Sequence, residues 1–156
     1  MSSALRTRLR ATGTAYLDAH RQRSVPALST LYAPDAKHTN LPAPIAPIFP
    51  SVSQPAYLEG LKDLFAMWHS FELDEFAPAV IDEEARKIVL FAKSKGVNDS
   101  GTYESEYIVM LKCDDEGKVI EERLQFFDSA SLLALVGKMG EKAKELQDNF
   151  IRADGK

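Results

Sequence analysis

Between Phe71 and Phe127 the chain passes through consecutive strand-forming segments, and no helical segment regularly separates them. That run restricts the fold most. Parallel neighbours need long crossovers, usually helical, so strands that follow one another through turns pair antiparallel. "FELDEFAPAVIDEEARKIVLFAKSKGV" reads as two strands joined by the charged turn from Asp82 to Ala85. "TYESEYIVMLKC" and "KVIEERLQFFD" read as a hairpin around "DDEGK", with Gly117 supplying the turn.

Ahead of these strands the apolar period is helical. Leu5, Leu9, Thr12, Tyr16 and His20 recur at steps of three and four from Leu5 to about Arg21, with arginines on other faces. Ser24 caps a short second helix with Pro26 in its first turn, and "YAPDA" breaks it. Lys37 to Leu41 forms a short strand. "PAPIAPIFPSVSQP" is expected to be an extended loop, since its prolines suit neither a helix interior nor a central strand, and to lie over something apolar, since Ile45, Ile48 and Phe49 interleave with them. Ser53 and Pro55 open a helix carrying Tyr57, Leu61, Leu64, Phe65 and Trp68 that ends near Ser70. Asp128 caps a last helix running to about Phe150, whose middle Gly137 and Gly140 weaken. The fold class is α+β: a curved antiparallel sheet wrapped over N-terminal helices, making a cone open at one end. The 156 residues suit one domain spanning 1–156.

Strand alternation sets the faces of "GTYESEYIVMLKC". Tyr103, Ser105, Tyr107, Val109 and Leu111 share one face; Glu104, Glu106, Ile108, Met110 and Lys112 share the other. The second is charged at both ends, so the tyrosines are expected to point inward. Inward phenols need hydroxyl partners and imply a polar spot in an apolar interior. The partner strand offers Glu121, Arg123, Gln125 and Phe127 on one face, and the short strand adds His38 and Asn40.

A formal charge of -4 gives no broad field for nucleic acid or anionic lipid. The apolar runs fall short of the roughly 20 residues of a membrane span. One cysteine, Cys113, leaves no internal disulfide, and cytosol is the expected compartment. Arg6, Arg8 and Arg10 are read as the solvated side of the first helix rather than an organelle address. Three scattered histidines make no metal set, and no H-E-x-x-H, glycine-rich phosphate loop or G-x-S-x-G occurs.

The layout "YLDAH…LYAPDAKHTNLP" followed by "YESEYIVMLKCDDEGKVIEERLQFFDS" resembles a fungal SnoaL-like protein of the nuclear transport factor 2-like superfamily. The resemblance covers roughly Ala11 to Leu135 and rests on H-x-x-L-P at His38 to Pro42, the "DEEARK" turn, the "YESEY" strand and the "FFDS" exit. It implies a cone-shaped barrel with a deep pocket, a homodimer, a small-molecule substrate and no cofactor. It implies isomerase or cyclase chemistry on a polyketide, meroterpenoid or alkaloid intermediate. A non-catalytic small-molecule-binding or dimerisation protein of the same fold is the alternative. Related proteins carry a carboxylate on the last strand where this chain has Gln125, an amide that orients a substrate but takes no proton.

On the enzyme reading, His38 moves a proton, since imidazole titrates near neutrality. Tyr103 and Tyr107 steady a developing oxyanion. Asn40 and Gln125 fix the pose, Arg123 holds a carboxylate or enolate or else pairs with Glu121 or Glu106 at the surface, and Tyr57, Phe65, Trp68 and Phe127 form the wall. His20 and His69 are expected to serve as capping or surface groups.

Overall fold

The computed structural model describes residues 3–155. Four side chains set the helix starts, each accepting a hydrogen bond from a first-turn N–H. Ser3 caps α1 (Ala4–Arg21), Ser24 caps α2 (Val25–Ser29), Ser53 caps α3 (Gln54–Ala66) and Asp128 caps α4 (Ser129–Met139). The strands are β1 (Tyr32–Leu41), β2 (Ser70–Asp82), β3 (Lys87–Asn98), β4 (Gly101–Cys113) and β5 (Ile120–Phe127). They form one curved open sheet in the order β1-β5-β4-β3-β2.

The expectation of a wholly antiparallel sheet is corrected at one edge. β2, β3, β4 and β5 pair antiparallel, but β1 runs parallel to β5. The path between those two strands contains α3 and three strands, which is ample for a parallel crossover. β1 is also longer than expected. α2 does stop before "YAPDA", but that segment opens the strand, with Pro34 in the register irregularity between Tyr32 and Lys37 of an edge strand. Proline is tolerated there because no ladder bond is demanded of it.

The proline-rich segment is not extended. It folds into a 3-10 turn over Ala43–Ile45, with Ile45 fully buried. The last helix is two: α4 ends and α5 (Glu141–Ala153) begins at Gly140, whose φ of 55° suits glycine. Near Gly60 of α3, a Cβ would lie 2.1 Å from the Phe150 ring, so the bare backbone is what lets α5 lie across α3.

α1 lies on the concave face. Leu9, Tyr16 and Leu17 are buried against Ile88, Leu90 and Leu111 of the sheet. Thr12 Oγ1 donates to the Gly117 carbonyl at 2.7 Å, and Arg10 Nη1 donates to Glu75 Oε1 at 2.8 Å, tying the helix to the β4–β5 turn and to the edge strand β2. The strand faces fall as the alternation requires: Tyr103, Ser105, Tyr107, Val109 and Leu111 are buried and Glu104, Glu106 and Ile108 are exposed.

Candidate functional site

Sheet, helices and C-terminal segment leave a hollow of about 150 Å³ that opens to water. α1 contributes Tyr16 and His20, α3 contributes Tyr57 and Phe65, and the sheet contributes Tyr103, Tyr107, Arg123 and Gln125. Leu132, Leu135, Leu146 and Phe150 of α4 and α5 line it as well. Most of the lining is apolar, so a polar group there acts with little competition from water.

The two phenols form a short relay. β3 and β4 pair Ser94 with Ser105, which brings the Ser94 hydroxyl to 2.8 Å from the Tyr107 hydroxyl. Tyr107 in turn donates to the Tyr103 hydroxyl at 3.4 Å. Tyr103 accepts that bond and has the Ser105 hydroxyl as a second neighbour, so its own proton can turn to Ser105 or to a ligand. Burial raises both phenol pKa values, and each phenol's neighbour adds to or offsets that shift, so both remain donors at neutral pH. Trp68 stacks on Tyr103 with ring centroids 5.8 Å apart, and Phe127 meets Tyr107 edge-on at 5.7 Å.

A second polar group stands where β1 meets β5. The parallel register sets Asn40 opposite Gln125 and His38 opposite Arg123. Arg123 donates to Asn40 Oδ1 at 3.0 and 3.1 Å and to Gln125 Oε1 at 3.1 Å. Its guanidinium carbon lies 4.9 Å over the Tyr57 ring. Arg123 is thus a buried pocket group, and its expected surface pairing with Glu121 or Glu106 is corrected. The side chain alternates inward with Phe127, and no acidic residue pairs with it among the described residues.

His38 does not line the hollow, which corrects its placement beside the phenols. It is buried in the wall, stacked on Tyr57 at 3.9 Å, with its Nε2–H donating to Gln54 Oε1. Desolvation, reinforced by Arg123, pushes its pKa down to about 4. Among the expected site residues, the hollow does take Asn40, Tyr57, Phe65, Trp68, Tyr103, Tyr107, Arg123, Gln125 and Phe127.

The imidazole that lines the hollow is His20, not expected from the sequence to belong to it. Its Nδ1–H donates to the Tyr16 carbonyl at 2.9 Å, one helical turn back. Nε2 is then the unprotonated nitrogen, and it makes no hydrogen bond among the described residues. Desolvation lowers the His20 pKa to about 4, against the pull of the Tyr16 carbonyl and with help from Arg123. The signal was present in the sequence: a histidine on the buried stripe of the first helix, in step with Tyr16. His69 is exposed and pairs with Asp99 at 2.6 Å. Among the described residues, no cluster of three His, Cys, Asp or Glu is placed to hold a metal, and no helix is long and apolar enough to cross a membrane.

No family model matches the sequence. Over 78 residues the chain is 44% identical to austinoid biosynthesis clusters protein H of Penicillium brasilianum, an alignment covering 49% of this chain and 51% of that protein. The chain spans about half the length of the curated relatives it matches in this way. Among solved structures, the BvnE pinacolase from Penicillium brevicompactum superposes with a TM-score of 0.82 at 22% identity, covering 89% of this chain and 95% of that one. A SnoaL-like polyketide cyclase candidate from Shewanella denitrificans gives 0.68 at 11% identity, covering 83% and 96%.

Proposed function

From a chain with the SnoaL-like fold of the nuclear transport factor 2-like superfamily, whose relatives are fungal austinoid biosynthesis cluster proteins, we propose a cofactor-independent isomerase or cyclase. Its substrate is an oxygenated, largely apolar intermediate of secondary metabolism, of polyketide, meroterpenoid or alkaloid origin. A second copy of the chain completes the assembly through the outer face of the sheet. One observation carries the reading: a phenol relay that ends on the Tyr103 hydroxyl inside an apolar hollow. The pinacolase of the same fold supports turnover over mere binding.

Tyr103 donates to a substrate carbonyl oxygen, with Tyr107 and Ser94 holding it in place. His20 Nε2 takes a proton from the carbon next to that carbonyl. The C–H electron pair becomes a C=C bond, and the carbonyl oxygen takes the negative charge. A base of low pKa suits this step only beside the anion it creates, because the enolate then stabilises the imidazolium. Returning the proton to a different carbon gives an isomer. Attack of the enolate carbon on an electrophilic carbon of the same molecule closes a ring. Gln125 and Asn40 orient the oxygenated end, while Phe65, Trp68 and Phe127 exclude water.

The test is incubation of the protein with extracts and purified intermediates from fungal biosynthetic pathways in D₂O, followed by mass spectrometry. Conversion without mass change other than deuterium gained at carbon is expected. Binding of an intermediate with neither conversion nor exchange would favour the non-catalytic reading.

A further inference from the structure

Arg123 is 3% exposed, and no carboxylate pairs with it among the described residues. Its polar partners are two amide oxygens, the Tyr16 hydroxyl and the face of a tyrosine ring, all neutral. Its Nε–H has no hydrogen-bond partner among the described residues. A buried cation normally has an anion beside it, since amides alone recover only part of the lost hydration. The surroundings reinforce this deficit. Tyr16, Tyr32 and Tyr57 cluster about the guanidinium, and burial holds Tyr16 and Tyr32 in the protonated form. Arg123 keeps its charge. Arg123, Asn40 and Gln125 all line the hollow. The Gln125 Oε1 is occupied by Arg123, whereas its amide N–H groups make no hydrogen bond among the described residues.

We propose that the missing anion comes with the substrate: Arg123 and the Gln125 amide receive a carboxylate of an otherwise apolar ligand. The inference rests on the pocket reading above and narrows its substrate class to apolar acids. Burying a carboxylate in an apolar pocket without a cation is unfavourable, so a site lacking this role for Arg123 prefers the neutral ester of any matched pair. A charge-assisted hydrogen bond to Arg123 reverses that order.

The probes are dansylaminoundecanoic acid and its methyl ester, which share one apolar body and differ by the charge. Trp68 is the single tryptophan and lines the hollow, so the fall of its emission, with rising dansyl emission, follows binding. The unaltered protein is expected to bind the acid about ten- to a hundredfold more tightly than the ester. Arg123→Gln is expected to lose that preference while still binding the ester, and Arg123→Lys to keep part of it. Equal affinity for the two probes, tighter binding of the ester, or an unchanged preference in Arg123→Gln overturns the role of Arg123 and leaves the pocket reading standing. Failure of both probes to bind overturns the pocket reading and this inference with it. Should Arg123→Gln not fold, the acid-to-ester ratio of the unaltered protein decides alone.

Discussion

At the scale of single residues, Tyr103 and Tyr107 do different things although they sit on one strand face. Tyr103 ends the relay on the hollow; Tyr107 aims it. Tyr103→Phe is therefore expected to lower turnover about a hundredfold, the usual effect of losing one preorganised oxyanion donor, with little change in melting temperature. Tyr107→Phe should lower it less and should destabilise the fold, since it leaves the Ser94 hydroxyl without its partner. Steady-state rates and thermal melts of both variants check the order, and a larger rate loss in Tyr107→Phe contradicts the relay. The inward phenols were legible in the sequence because period-two alternation left them no other side. The imidazoles were not. Periodicity placed His20 on a buried stripe and His38 on an inward strand face, but only packing decides which ring meets the hollow and which meets Tyr57. Both histidines carry a pH signature. An unfolded imidazole takes its proton near 6.5, whereas each folded one waits until about 4. Between those values the unfolded chain binds more protons, so stability is intact above 6.5 and is lost as pH falls toward 4. For the buried His38 the loss is on the order of 3 kcal/mol across that window. Urea unfolding at pH 7 and pH 5 should show it, and imidazole NMR signals should titrate near 4; a His38 midpoint near 6.5 rules it out.

At the scale of elements, caps and turns were written plainly. Ser24, Ser53 and Asp128 start helices where their side chains promised, and Gly117 turns the hairpin. What was not legible is what tertiary contact decides. Ile45, Ile48 and Phe49 among the prolines marked a segment lying over something apolar, but nothing local foretold the turn at Ala43–Ile45 or the stacking of Phe49 on Phe127 at 5.6 Å. Helical period alone also ran α4 and α5 together, because the break lies in one residue's backbone. The docking of α5 depends on Gly60, whose added Cβ would enter the Phe150 ring. Gly60→Ala is expected to destabilise by about 1–3 kcal/mol through overpacking, despite alanine's better helix propensity. In a Phe150→Ala background the same change should be neutral or stabilising. A double-mutant cycle by chemical denaturation measures the coupling, and additive effects show that the ring moves aside freely.

At the scale of the molecule, the antiparallel β2-to-β5 ribbon was foreseeable from strands in succession, while the parallel β1 edge was not, since register between distant segments leaves no local mark. That edge matters to chemistry, because it is what sets Asn40 beside Gln125 and Arg123. The concave side of the sheet is spent on helices and hollow. The convex side carries Phe91, Ile108 and Phe126 in register across three neighbouring strands, with Ile108 44% and Phe126 46% exposed. Phe76 lies beside Phe91, ring centroids 6.3 Å apart. Charged pairs frame this band: Lys95 with Glu104 at 3.8 Å on one side and Lys112 with Glu122 at 3.4 Å on the other. Those charges already have partners, so what the face offers a neighbour is its apolar band, larger in character than scattered surface leucines. A second copy of the chain presents the same band to it, which is the self-complementary arrangement a two-fold dimer needs. Ile108→Asp places a charge at the centre of the band while leaving the buried face of β4 untouched. Sedimentation should then show the unaltered protein as a dimer and Ile108→Asp as a folded monomer. A monomeric unaltered protein, or a dimer indifferent to that aspartate, removes the outer sheet as the contact.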